Sequence, residues 1–225
     1  MNGMKERVFV AAGAALMLLT LYFIFVFAPK DAETGDIQRI FYIHVPLAWV
    51  SLVAFTAVFA FSVLYLARRS KKYDLMASAS AEVGIIFTSL FLLTGSLWAR
   101  PVWGSYWTWD ARLTSSLILW FIYLGYLLTR SLAAGEDRRG RLSAVVAIIG
   151  FIDIPAVVLA IVLWRTQHPD PLVFGGGLSG GMALTLVISI IAFTCLYLLL
   201  YRLCLGVKTA EERLDKFKKT LLEMD

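Results

Sequence analysis

The chain has 225 residues and 25.1 kDa; 60% of its residues are hydrophobic, only 16% are charged, and the mean hydropathy is +0.76. Soluble domains run about 45–50% apolar and about 25% charged, so a soluble enzyme, a disordered tail and a disulfide-stapled secreted domain are all excluded. The formal charge of +5 and pI near 9.3 then read as Lys and Arg in loops beside a membrane, not as a nucleic-acid footprint.

A spanning helix needs roughly 20 apolar residues to cross a hydrocarbon core of about 30 Å. Six segments meet that length: Val8–Phe27, Val45–Leu66, Ala79–Leu97, Leu113–Thr129, Leu142–Leu163 and Met182–Tyr201. The fourth is the shortest and opens on Thr114, Ser115 and Ser116. The first reads as a retained span and not a cleaved leader, because its apolar run is long and Pro29 follows the small-residue site. The fold expected is an all-α polytopic membrane protein with six transmembrane helices.

Sixteen Lys and Arg fall with the two termini, the Arg68–Lys72 loop and the Arg130–Arg141 loop, against five (Lys30, Arg39, Arg100, Arg112 and Arg165) on the other side. The positive-inside bias puts both termini in the cytoplasm. It leaves outer loops at 28–44, 98–112 and 164–181. Residues 1–205 form the transmembrane unit and 206–225 a cytoplasmic tail, in which Leu214, Phe217 and Leu221 recur at helical spacing. That tail reads as a short amphipathic helix on the inner leaflet or on a partner. Cys195 and Cys204 have no metal or redox spacing and read as membrane-helix residues.

Only two histidines occur, His44 and His168, and the topology brings both to the outer face. A histidine there serves as an interfacial anchor or as a ligand for iron, copper or zinc. Two ligands fall short of a zinc cage, but they match the two axial positions of a haem. Between them, Trp98, Trp103, Trp107 and Trp109 crowd into twelve residues, interleaved with Arg100, Tyr106, Asp110 and Arg112. Two readings fit this loop. One is an aromatic belt with a partner interface. The other is a platform for a flat macrocycle, with aromatic faces for stacking and guanidinium groups for its carboxylates. Within the spans, Glu82 lies near the cytoplasmic end and reads as snorkelling, while Asp153 beside Pro155 lies near mid-membrane. Asp153 is a functional candidate by position, or a group bonded to backbone that the proline frees.

The run Trp103-Gly-Ser-Tyr-Trp-Thr-Trp-Asp110-Ala-Arg-Leu-Thr114 resembles the tryptophan-rich WWD signature of the haem-handling proteins of cytochrome c biogenesis, and within them the CcmC family. Arg39-Ile-Phe-Tyr-Ile-His44-Val-Pro46 and Thr94-Gly-Ser-Leu-Trp98 resemble the same family, and roughly residues 36–170 are covered. The resemblance implies that the WWD loop is 98–114, that His44 and His168 are axial ligands of haem b, and that Trp103, Trp107, Trp109 and Asp110 form its platform. Trp98, Tyr106, Arg100, Arg112 and Arg165 join the candidate set. It further implies a protein of the bacterial inner membrane, not an enzyme, that presents haem at the periplasmic face to the chaperone CcmE, beside the CcmA/CcmB transporter and the small CcmD. Two positions depart from the pattern: Tyr106 stands where a Trp is common, and Arg165 precedes His168 where a neutral residue is common.

Two other functions are open to such a chain. A transporter subunit that moves haem across the bilayer would string ionisable residues along several spans, and only Glu82 and Asp153 are available. A system II protein of the CcsA type, or a membrane cytochrome, would place further histidines inside its helices, and none is there.

Overall fold

The computed structural model describes residues 3–164 and 177–223. All regular structure among them is helical: α1 (Gly3–Tyr22), continued by a π turn (Phe23–Phe27); a 3-10 turn (Asp36–Ile40) leading into α2 (Phe41–Arg68); α3 (Lys71–Trp103); α4 (Ala111–Leu132); α5 (Glu136–Phe151); α6 (Asp153–Leu163); and α7 (Gly180–Leu222). Six helical stretches are long and apolar enough to cross a membrane, α5 and α6 together forming one of them. The chain is a multi-pass membrane protein, as its composition requires.

Helix α2 lies at the centre. Against one side of it, Phe55 stacks on Tyr123 of α4 with centroids 3.6 Å apart, in a core that continues through Ala77, Ala81, Ala147 and Val157. Against another side, Leu47, Val50 and Ala54 meet Val83 and Phe87 of α3 and Tyr197 of α7. Small residues along α3 (Ala77, Ser78, Ala79, Ser80, Ala81) are all buried. In a bilayer, where lipid is as apolar as leucine, this close approach of backbones supplies the packing energy. Ser80 ties three helices together, its hydroxyl 2.8 Å from the Ala54 carbonyl of α2 and 2.8 Å from the Tyr197 hydroxyl of α7.

The basic loops gather at one end. There Asp74, only 3% exposed, accepts two hydrogen bonds from Arg130, at 2.5 and 3.2 Å. Lys71 bridges Asp74, Glu136 and Glu212. Glu82 does not snorkel alone: Lys208 lies 2.5 Å away and the Cys204 thiol donates to it at 3.3 Å. Its place beside α7 supplies a partner that the sequence does not announce. At the opposite end, Arg39 pairs with Asp36 and donates to the Ile24 carbonyl, pinning the entry of α2 to the π turn. Asp31 accepts from the Thr34 and Glu33 amides and the Thr34 hydroxyl. The bond from the Thr34 backbone contributes most to holding its carboxyl below the ordinary carboxylate range.

Three boundaries differ from the sequence expectation. Helix α3 runs six residues past Leu97, because Pro101 in its last turns removes only one backbone bond and the stop comes at Gly104, whose φ of 77° makes it a left-handed cap. The fifth span is broken at Ile152 into α5 and α6. Pro155 has no N–H for the Phe151 carbonyl four residues earlier, and Asp153 opens α6 at the break. The Asp153 Oδ2 is buried there without a hydrogen-bond partner among the described residues. Finally, the tail is no separate element: α7 is continuous for 43 residues, so residue 206 lies in mid-helix. Both cysteines sit on it as free, half-buried thiols.

Candidate functional site

At the end opposite the basic loops, α2, α3 and the start of α4 enclose a cleft. His44, Phe91, Gly95, Trp98, Trp103, Trp107, Arg112 and Ser116 are among the residues that line it. It holds about 150 Å³ of space, less than the roughly 300–1,000 Å³ of a typical small-molecule site, and is open on one side. Its walls are mainly apolar.

His44 lies one turn inside α2 and is 6% exposed. It is buried in the bundle near the start of α2. Four residues of α3 hold its ring. Phe91 lies against one side at 4.8 Å between centroids, and Trp98 meets it edge-on at 5.8 Å. The Thr94 hydroxyl sits 3.2 Å from His44 Nδ1. Gly95 leaves room for the imidazole, since a Cβ there would stand 2.8 Å from Cε1.

The hydroxyl of Thr94 fixes the tautomer. Its one hydrogen goes back along α3 to the Leu90 carbonyl at 2.8 Å, with the Phe91 carbonyl at 3.1 Å. Its oxygen is then the acceptor toward the ring. We therefore assign the imidazole proton to Nδ1 and the lone pair to Nε2, the arrangement in which a histidine ligates a metal.

The tryptophan segment divides by position. Trp98 and Trp103 lie on the last turns of α3, Trp107 in the short connection that follows, and all three line the cleft. Trp98 and Trp107 each bring a buried indole N–H with no acceptor among the described residues. Trp109 crosses Trp107 edge-on at 5.8 Å but is 76% exposed on the rim. Tyr106 is exposed as well and lies under the Arg100 guanidinium.

The acid and the two arginines have distinct duties. Asp110 caps α4: one oxygen accepts the amides of Arg112 and Leu113 at 3.0 Å, and the other accepts the Thr108 hydroxyl. Arg100 turns back to the Gly104 carbonyl and so closes the end of α3, away from the cleft. Arg112 lines the cleft. The Asp110 carboxylate at the helix start is the charge that acts on its guanidinium. A half-buried cation, an imidazole and three indole rings thus line one apolar space. That donor set suits a flat ligand bearing a metal and carboxylates.

His168 and Arg165 lie outside the described residues, and the structure says nothing of them. Among those described, no three His, Cys, Asp or Glu side chains gather to hold a bare metal ion. Sequence reasoning missed Phe91 and the physical roles of Thr94 and Gly95. The signal available was spacing, since 91, 95, 98 and 102 follow one face of α3 at intervals of four, three and four.

A heme exporter protein C of Bradyrhizobium diazoefficiens is 37% identical over 194 residues, 85% of this chain and 74% of that protein. Heme exporter protein C of Escherichia coli K12 is 37% identical over 159 residues, 69% of this chain and 64% of its own length. A Marchantia polymorpha mitochondrial protein, described as ccmC-like and of cytochrome c biosynthesis, is 39% identical over 153 residues, 68% of this chain and 64% of that protein. The chain therefore spans a little under two thirds of the length of two of these relatives. The family profile described as heme exporter protein C matches residues 1–219, and the chain belongs to that family, CcmC.

Proposed function

We propose that the protein binds haem b in the cleft between α2, α3 and α4 and delivers it at the outer, periplasmic face of the bacterial inner membrane to the haem chaperone CcmE, in cytochrome c biogenesis. Its working partners on this reading are CcmE, the CcmA/CcmB transporter and CcmD. Lipid surrounds its spans, and it forms no covalent bond to its cargo. The outward orientation rests on the Lys and Arg bias, which gathers at the opposite end of the bundle.

One observation carries the reading: His44, Arg112, Trp98, Trp103 and Trp107 line a single apolar cleft. On this account His44 Nε2 takes one axial position of the iron, oriented by Thr94. Arg112 and the indoles of Trp98 and Trp107 hold the propionates, and Trp103 supplies an aromatic wall. His168 is the second axial ligand, with Arg165 beside it. An axial pair suits a delivery protein, because one bond opens to the acceptor while the other keeps the iron in place. Trp109, exposed on the rim, is positioned to meet the incoming chaperone. Toward the basic end the interior is filled by the Phe55–Tyr123 stack and the Phe87–Tyr197 pair, which favours handling at one face over passage through the bundle.

The test is a haem titration of the purified protein, followed by absorption, with His44→Ala and Arg112→Gln variants. The reading expects a low-spin spectrum that is lost in the first and weaker binding in the second. Colourless wild-type protein in excess haem would refute it.

A further inference from the structure

Helix α7 has a stretch that the cleft does not use. Its 43 residues reach about 64 Å at about 1.5 Å per residue, roughly twice the hydrocarbon thickness of about 30 Å. The apolar run closes at Tyr201 and Arg202 follows, so the remainder projects beyond the bilayer at the basic end. On that projection Val207, Ala210, Leu214, Phe217 and Leu221 recur at alternating intervals of three and four. This is the period of 3.5 that marks a coiled-coil seam. All five are exposed, Phe217 to 63%.

The opposite face of the same stretch is tied to the body. Lys208 pairs with Glu82, Glu212 with Lys71 and Lys219 with Glu136. The helix is thus held by one face with its apolar seam turned outward.

Distance and charge decide what covers the seam. Lys208 is level with Glu82, three residues inside the apolar run that opens at Ala79, so Phe217, nine residues on, lies about 9 Å beyond the hydrocarbon edge, past a headgroup layer of about 5–8 Å. The distal half of the seam, Phe217 and Leu221, therefore clears the leaflet while the three ion pairs hold. A second copy shares the orientation of the first and would pair in parallel, which sets Arg213 of one copy against Lys218 of the other at the flanking heptad positions. Like charges there select against self-pairing. Arg202 and Arg213 border the shallow groove beside Ala210, Leu214 and Phe217, and Lys218 lies on the other flank, with Glu211 the one opposing charge. The borders are therefore net basic.

We propose that this seam is a docking surface for an amphipathic helix of a partner protein, one whose own apolar seam is flanked by acidic residues. The recognition mode is helix against helix, with apolar knobs for affinity and Arg202, Arg213 and Lys218 for choice of partner.

The test uses the full chain in lipid nanodiscs and a labelled synthetic three-heptad peptide with Leu at the seam and Glu on both flanks. Its twin carries Lys on the flanks, and both peptides repel themselves and stay monomeric. The acidic peptide binds saturably and the basic twin at least ten-fold more weakly. Leu214→Glu and Phe217→Glu each weaken the acidic peptide ten-fold or more and leave the melting temperature unchanged. No binding, equal binding of the twins, or indifference to both substitutions would overturn the proposal. So would a dimer in light scattering that Phe217→Glu dissolves, since the partner would then be a second copy. A dye at Phe217→Cys, with Cys195 and Cys204 replaced by Ala, that brominated lipid quenches would also overturn it, placing the seam on the membrane.

Discussion

Replacing Gly95 by alanine tests the clamp around His44 with a single methyl group. The added Cβ stands 2.8 Å from Cε1 of the imidazole, 3.4 Å from Nδ1 and 3.8 Å from Nε2. Carbon atoms rest at about 3.5–4.0 Å, so the ring must retreat by about 0.7–1.2 Å or the helices must part. Retreat is obstructed, because Phe91 and Trp98 pack on the ring and Thr94 holds Nδ1. Overpacking of this kind costs about 1–3 kcal/mol, and each 1.4 kcal/mol or so is a factor of ten in affinity. Gly95→Ala is expected to lower the melting temperature of the haem-free protein and to weaken haem binding by roughly five-fold to a hundred-fold. The assays are a thermal melt and an absorption titration on the same preparation. Phe91→Leu, which trims a side chain packed on the ring, should recover part of both losses. Gly125→Ala, where a Cβ meets nothing within 4 Å in mid-helix, should leave affinity unchanged and raise the melting temperature slightly. Unchanged melting and unchanged affinity in Gly95→Ala would refute the clamp.

Three further outcomes follow from the same geometry. Arg112→Gln should weaken haem binding ten-fold or more, since a hydrogen bond to a charged group contributes about 1.5–3 kcal/mol. Arg100→Gln, which only loosens the end of α3, should lower the melting temperature and leave affinity within about two-fold; titration of the two side by side separates them. Arg130→Met leaves Asp74 buried without its bidentate partner and should cost about 3–5 kcal/mol in unfolding free energy, most of it recovered when Asp74→Leu is added. Ser80→Ala removes the hydroxyl that joins α2 and α7 and should cost about 1–2 kcal/mol; with Tyr197→Phe the combined loss should fall short of the sum, as measured in a double-mutant cycle.

The six spans are legible in the sequence because the bilayer imposes a length and a composition that little else satisfies. Their ends are less so. The apolar run of the third span closes at Leu97, yet the helix continues through Pro101, since a proline in a final turn removes one bond only, and Gly104 sets the end of α3. Pro155 does break its helix, at Ile152, because it falls in the middle of an apolar run. Arg202 reads as the end of a span, whereas ion pairs from three other positions carry α7 on. At the cleft, His44 and the tryptophans stand out as residue types. Arg100 and Arg112 do not separate by sequence, because both precede apolar turns beside the same aromatics; only the fold sends one to a helix cap and the other into the cleft. Phe91, Thr94 and Gly95 look like ordinary residues of an apolar span until α2 is laid beside them. Their meaning is relational, and one strand of sequence carries only half of it.

The central claim is that His44 binds the iron of haem in this cleft. The most direct measurement is the absorption spectrum of the haem-loaded protein beside that of His44→Ala, with Thr94→Val as the variant that loses only the tautomer lock. The account predicts a six-coordinate, low-spin spectrum in the wild type. It predicts loss of that form in His44→Ala and an intact but more weakly held form in Thr94→Val. A wild-type spectrum that survives His44→Ala unchanged would contradict it.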